Sequence, residues 1–196
     1  LNLIYPIVVN MPGVHNVLNS FSVIAVALEC YGKIEDIARG LANFHGVGRR
    51  CQHYPEIQHA GKTALLIDDY GHHPVELKAT LSALRGAYPE KRMVLIFQPH
   101  RYTRTRDLFD DFVSVLSDVD QLIITEVYPA GEKPIALADG RALVRAIRLQ
   151  GNENAIFAED IVDAKRKLFN ILQQDDLVVT MGAGSVGKLP AMLNND

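Results

Sequence analysis

Five short apolar runs, at residues 64–67, 93–97, 122–125, 155–157 and 177–181, alternate with helical patterns at about 74–87, 106–116, 141–149 and 161–172. Each run is apolar on both of its faces, as a strand buried on both sides must be. Strands joined by connections of helical length do not form hairpins. They pair in parallel through crossovers, and the helices then cover both faces of the sheet. The rhythm from residue 53 onward predicts one complete α/β domain with a mostly parallel sheet.

The segment before it has a different period. Pro12 and Gly13 open a helix in which Val14, Val17, Leu18, Phe21, Ile24, Ala25 and Leu28 recur at three- and four-residue steps, and Gly32 stops it. A second helix at about 34–44 carries Ile37, Ala38 and Leu41 on one face and closes at Gly46-Val47-Gly48, before Arg49 and Arg50. The helical pattern breaks at Arg50-Cys51-Gln52-His53-Tyr54-Pro55. Residues 1–52 are therefore expected to be a helical remnant of one domain, and 53–196 a second, complete one. Leu1 in place of Met fits a piece of a longer protein.

Composition narrows the class. In 196 residues, 20 Lys and Arg stand against 23 Asp and Glu, a formal charge of −3. That balance argues against a broad electrostatic footprint for nucleic acid. The longest apolar stretch, at 21–28, is short and interrupted by Ser22, so no membrane span is predicted, and no basic segment marks a signal peptide. Cys30 and Cys51 lie in neither CxxC nor Cys/His metal spacing, which points to a reduced, cytoplasmic setting and to no metal site.

Ligands of open parallel sheets collect at the carboxyl ends of the strands, and three polar clusters fall there. The first is Asp68-Asp69-Tyr70-Gly71-His72-His73-Pro74. A carboxylate in that position can accept from ribose hydroxyls or hold a metal-bound water, whereas adjacent histidines point apart and make a poor bidentate metal site. Its plainer reading is that Asp68 or Asp69 caps the next helix. The second is Gln98-Pro99-His100-Arg101-Tyr102-Thr103-Arg104-Thr105-Arg106. Guanidinium groups offer paired planar donors to carboxylate or phosphate, and a helix start adds N–H groups. Its plainer reading is a basic loop paired with Asp107, Asp110 and Asp111. The third, Met181 to Lys188, matches GxGxxG at Gly182, Gly184 and Gly187, but no second βαβ unit follows, and Leu189 stands where a phosphate-binding GxxxxGK[ST] loop needs Ser or Thr. It reads as a close-approach loop beside a ligand, not a nicotinamide fingerprint. In the helical part, His15 and Asn19 share a helical face with Asn16 beside them, and an Asn amide can satisfy an adenine edge.

Together these elements resemble the Mur ligases, the ATP-dependent amide-forming enzymes of bacterial peptidoglycan assembly. The resemblance runs through Pro12 to Asn19, Phe44 to Arg50, Asp68 to Pro74, Phe97 to Thr105 and Gly182-Ala183-Gly184, in order along the chain. It implies a C-terminal Rossmann-like domain preceded by the end of a central ATPase domain, with the UDP-binding domain and the Gly-Lys-Thr phosphate loop absent from these residues. Within the family, the DDYGHHP and FQPHRYTRT strings imply the member that joins L-alanine to UDP-N-acetylmuramate, with a sister ligase adding a preformed peptide as the alternative. The implied chemistry is attack of a carboxylate on ATP, then of the L-alanine amine on the acyl phosphate, with Mg²⁺ held mainly by the missing part. By resemblance, Asn19 with Asn16 or His15 meets the adenine, Arg50 reaches the phosphates and Asp69 holds the ribose. Tyr70, His72, His100, Arg101 and Arg104 face the incoming amino acid and the acyl phosphate, with Arg104 on the alanine carboxylate. These residues alone are expected to be inactive. A non-catalytic nucleotide- or anion-binding module and, more remotely, a dehydrogenase are the readings of other classes.

Overall fold

The computed structural model describes residues 4–11, 13–44 and 46–194, with His15 described by its backbone only. Two helices come first, α1 (Val14–Glu29) and α2 (Ile34–Ala42). A β-hairpin follows, β1 (Gln52–His59) and β2 (Lys62–Asp69), turning through Ala60 and Gly61 at φ 50° and 77°. Two successive residues at positive φ are the geometry of a tight two-residue hairpin. The chain then alternates: α3 (Pro74–Ala87), β3 (Met93–Phe97), α4 (Tyr102–Asp107), α5 (Phe109–Leu116), β4 (Gln121–Thr125), α6 (Gly140–Leu149), β5 (Ala155–Ala158), α7 (Ile161–Ile171) and β6 (Asp176–Met181). A 3₁₀ turn (Ser185–Lys188) leads into α8 (Leu189–Leu193).

The six strands form one sheet in the order β1-β2-β6-β3-β4-β5. Every pairing is parallel except β1 with β2. Alternation along each strand divides the core in two. Ile67, Leu95, Phe97, Leu122, Ile124 and Val179 face α3, α5 and α6, where Leu77, Leu84, Phe112, Leu116, Leu143 and Ile147 meet them. Leu66, Val94, Ile96, Ile123 and Val178 face the other way, onto Ala164 and Leu168 of α7 and Leu189 and Leu193 of α8. The expected α/β architecture is the observed one.

Three local features differ from the sequence reading. Strand β1 was not anticipated: it is polar, contains Pro55, and carries an irregularity between Tyr54 and Ile57. The helix expected at 106–116 starts earlier, at Tyr102, and breaks at Leu108. The close-approach loop expected over 181–188 ends in a 3₁₀ turn, and the short helix α8 that follows it was not expected; Pro190 sits in its first turn, where a missing N–H costs nothing.

Both edges of the sheet are blunted. Pro55 and the irregularity interrupt β1. On β5, Arg148 Nε donates to the Ala155 carbonyl and Lys167 Nζ to the Phe157 carbonyl, so the outward acceptors are occupied.

Helices α1 and α2 behave unlike the rest, and α2 has no buried residue. Of the described side chains of α1 only Ser20 is buried, while Val14, Leu18, Phe21 and Val26 are all more than half exposed. The apolar stripe read from the sequence is present, and among the described residues nothing covers it. No helix is long and apolar enough to cross a membrane, among the described residues.

Candidate functional site

The first polar cluster begins inside β2. Asp68 is fully buried; one carboxylate oxygen accepts from Thr180 Oγ1 (2.6 Å) and the other from Arg49 Nε (2.8 Å). Asp69 is also buried, accepting from the Gly71 N–H (2.7 Å) and the Cys51 N–H (2.9 Å). Neither aspartate caps α3. Pro74 takes the first helical position, which makes His73 the cap: its ring accepts from the Val75 N–H, and Glu76 accepts from the His72 and His73 N–H groups in return. Beside this knot, burial and the Asp69 carboxylate push the Cys51 thiol up to about 12, so it stays protonated and is no nucleophile.

Glu76 shows how the cluster is tuned. Burial alone would raise its pKa, but the His72 N–H, the His72 ring, the His73 N–H and Arg50 outweigh it, and the carboxyl lies below its ordinary value. Arg50 Nη1 is 3.6 Å from Glu76. The folded chain then binds fewer protons than the unfolded one, so the contribution of Glu76 is complete above the usual carboxylate range and is lost as pH falls through the depressed value. Urea midpoints of wild type and Glu76→Gln should therefore separate above roughly pH 5 and converge in acid. Parallel curves across that range would contradict this.

Arg49 and Arg50 diverge. Arg49 turns inward, donating also to the Gly182 carbonyl (2.7 Å). Arg50 is exposed, and both guanidiniums lie over the Tyr70 ring, at 5.2 and 5.6 Å from its centroid. From Tyr70 a row of rings continues: Tyr70 to His72 at 5.4 Å, His72 to His100 at 5.5 Å, and His100 to Tyr128 at 5.5 Å. This row crosses from the end of β2 to the ends of β3 and β4 and joins the first cluster to the second.

In the second cluster, Arg101 has φ 71° and an exposed side chain, and it forms no ion pair among the described residues. Arg104 Nη1 donates to the His100 carbonyl (3.2 Å) and stands 3.4 Å from His100 Nδ1. Of the acidic partners in the plainer reading, Asp107 pairs with Arg106; neither Arg101 nor Arg104 takes one. The helix start already holds an anion of the chain's own: the Glu132 carboxylate accepts from the Thr103 N–H and hydroxyl, and these bonds hold its pKa below the ordinary value. Burial, then His72, Arg104 and Arg101, hold the His100 pKa below its ordinary value against the pull of Glu132. The ring is neutral near pH 7, and the arginines carry the positive charge.

The glycine loop packs against the site's own side chains. Gly182 has φ 138°. A Cβ on Gly184 would lie 2.5 Å from Gln98 Oε1, and one on Gly187 2.3 Å from Arg49 Cζ. Gln98 ties the loop down, accepting from the Val186 N–H and donating to Ser185. The glycines thus leave room for Gln98, Tyr128 and Arg49.

Below Arg50 and Asp69 a groove of about 780 Å³ separates α1 and α2 from α3; Asn16, Asn19, Arg50, Asp69, Val75 and Glu76 line it. The His15 side chain lies outside the described residues. Asn16, Asn19, Arg50 and Asp69 thus share one groove, and Tyr70, His72, His100, Arg101 and Arg104 continue from it along one rim. Sequence reasoning missed Tyr128 and Glu132; the run Glu126-Val127-Tyr128-Pro129-Ala130-Gly131-Glu132 after an apolar strand was the available signal. Among the described residues, no three His, Cys, Asp or Glu side chains come together to hold a metal ion.

A family profile described as the glutamate ligase domain of Mur ligases matches residues 34–184. The UDP-N-acetylmuramate–L-alanine ligase of Neisseria meningitidis is 60% identical over 190 residues, covering 96% of this chain and 40% of that protein. The enzyme of the same name from Chromobacterium violaceum is 58% identical over 187 residues, 95% and 40% of the two chains. Among solved structures, the UDP-N-acetylmuramate–alanine ligase of Thermotoga maritima superposes with a TM-score of 0.75 at 25% identity, over 96% of this chain and 39% of that one. The folylpolyglutamate synthase of Thermotoga maritima, at 21% identity and TM-score 0.63, shares the fold. The chain spans about 40% of the length of the curated relatives it matches. By the extent of the profile match and the level of these identities, the chain belongs to the Mur ligase family.

Proposed function

We propose that this chain is the C-terminal part of an ATP-dependent ligase that joins L-alanine to UDP-N-acetylmuramate in the cytoplasm, residues 1–52 being the end of its central domain. The observation that carries the reading is the pair Arg101 and Arg104, neither in an ion pair among the described residues although the Arg101 charge helps hold Glu132 ionised, beside the Tyr70–His72–His100 rings. Arg49 and Arg92, by contrast, are committed to the buried Asp68 and Asp176. An uncommitted guanidinium beside a neutral imidazole is suited to bind a carboxylate and to steady a phosphoryl group. The 60% identity to an L-alanine-adding enzyme supports the choice of amino acid.

In this reading the muramoyl carboxylate attacks the γ-phosphorus of ATP, releasing ADP and forming an acyl phosphate. The L-alanine amine attacks that carbonyl, and the tetrahedral intermediate collapses to amide and phosphate. Transfer of this kind is served mainly by positioning and charge neutralisation. Arg104 holds the alanine carboxylate, Arg101 and Arg50 face the phosphate oxygens, and the groove beside Asn16 and Asn19 receives the adenine. Asp69 stands at the mouth of that groove as the ribose-side residue, with both oxygens engaged by backbone N–H groups. Magnesium would assist phosphoryl transfer in the whole enzyme. The residues here do not fit it, since among the described residues no three His, Cys, Asp or Glu side chains converge and Asp68 is fully buried against Arg49 and Thr180, and no step is routed through it. The exposed apolar stripe of α1 supports a further part of the protein lying against these helices.

The test is amide formation by the full-length protein given ATP, UDP-N-acetylmuramate and either L-alanine or a tripeptide. Product is expected with L-alanine only; product with the tripeptide instead would make this the sister ligase. The 196-residue chain alone, which contains no GxxxxGK[ST] loop, should give no turnover above a blank.

A further inference from the structure

The Tyr128 side chain packs against two neighbours. Its ring stacks on His100, with planes within 10° and centroids 5.5 Å apart. The base of the side chain lies against Gly184, where an added Cβ would stand 2.6 Å from Tyr128 Cβ and Cγ. Its backbone is bonded at both ends to the second cluster, donating to the Pro99 carbonyl (2.8 Å) and accepting from the Arg101 N–H (2.9 Å). The backbone bonds, the stack and the contact with Gly184 thus set where the ring stands, although Tyr128 as a residue is 40% exposed.

His100 takes its orientation from this contact. The His72 ring meets it edge-on at 66°, which leaves the Tyr128 stack as its broad-face contact among the described rings. Arg104 in turn rests on His100, through the carbonyl and Nδ1. A long guanidinium side chain loses rotamer freedom when it binds, so whatever already holds it in one direction lowers the cost of binding an anion.

We propose that Tyr128 is a positioning residue: its stack sets the plane of the His100 ring and, through it, the direction in which Arg104 presents its guanidinium to the carboxylate of the incoming amino acid. The proposal rests on Arg104 as the carboxylate-binding residue. The charged and titratable groups facing His100 are His72, Arg101, Arg104 and Glu132, with Tyr128 shielding one face. Three of them oppose protonation, as does the burial to which Tyr128 contributes, and a neutral ring does not repel Arg104.

The test uses Tyr128→Leu, which keeps apolar bulk on Gly184 but loses the flat face, and Tyr128→Phe, which keeps the stack and loses the hydroxyl. In the full-length ligase, Tyr128→Leu should raise KM for L-alanine about 10-fold with kcat changed less than about 3-fold, and Tyr128→Phe should stay within about 2-fold of wild type. In the ¹³C-histidine-labelled chain, the His100 titration should move up toward the ordinary histidine range in Tyr128→Leu and stay put in Tyr128→Phe. A KM unchanged in Tyr128→Leu, a His100 titration that does not move, or a Tyr128→Phe as impaired as Tyr128→Leu each overturns the proposal. Arg104→Gln, run in parallel, separates the two levels: no change in KM for L-alanine there sinks the assignment of Arg104 itself, whatever Tyr128 does.

Discussion

Arg49→Ala should cost the chain about 3–5 kcal/mol of stability, measured as the shift in urea-unfolding free energy. The loss follows from what the guanidinium leaves behind. Asp68 is fully buried, and one of its two oxygens has Arg49 Nε as its partner. The Gly182 carbonyl loses a donor at the same time. Removing one member of a buried ion pair strands the other, and that penalty exceeds the net worth of the intact pair. The Arg49 side chain is 25% exposed, so water entering beside Asp68 would bring the loss toward the lower end of the range. Arg49→Ala combined with Asp68→Asn should recover part of it, because an amide tolerates burial better than a lone carboxylate. A loss under about 1 kcal/mol for the single variant would mean that solvent replaces the guanidinium at no real cost.

Arg104→Gln should lower kcat/KM for L-alanine about 100-fold in the full-length ligase, roughly 3 kcal/mol of lost binding to a carboxylate. The loss should fall on KM for the amino acid and leave KM for ATP within about 2-fold, because Arg104 belongs to the His100 end of the rim and not to the groove by Asn16 and Asn19. Arg104→Lys should restore only part of it. An ammonium keeps the charge but not the planar pair of donors. Steady-state kinetics with L-alanine varied at saturating ATP measure both variants. An unaltered KM for L-alanine in Arg104→Gln would remove the carboxylate from this residue.

The sheet and its covering helices were legible because their signal is one of burial: β3, β4 and β6 are buried along their whole length, and each carries an apolar run, with Thr125 closing the one in β4 and Thr180 near the end of the one in β6. Strand β1 was not legible, since an edge strand needs no apolar run and Pro55 argues against a ladder. The early start of α4 and the break at Leu108 escaped for a different reason, since Leu108 too caps nothing with its side chain. Arg101 enters α4 at φ 71° with no side-chain cap, so neither a capping residue nor a glycine marks the start. In the site, the two clusters announced themselves by their charge at strand ends, but which charges were available did not. Asp68 with Arg49 and Asp69 with Cys51 are long-range pairs that only the assembled sheet creates. Tyr128 escaped because a single aromatic in a loop carries no pattern; its meaning lies in contacts with residues 100 and 184, far from it in sequence.

The two flanks of the sheet bear on how the chain fares in a crowded solution. A strand arriving from another molecule would meet a proline and an irregular ladder on β1, and on β5 it would have to displace two charge-assisted hydrogen bonds before finding an acceptor. Fibril-like growth therefore has no ready template on the sheet edges of the described residues, and clumping under stress should begin from partly opened chains instead. Arg148 and Lys167, remote from the rim, would then act as guardians of solubility.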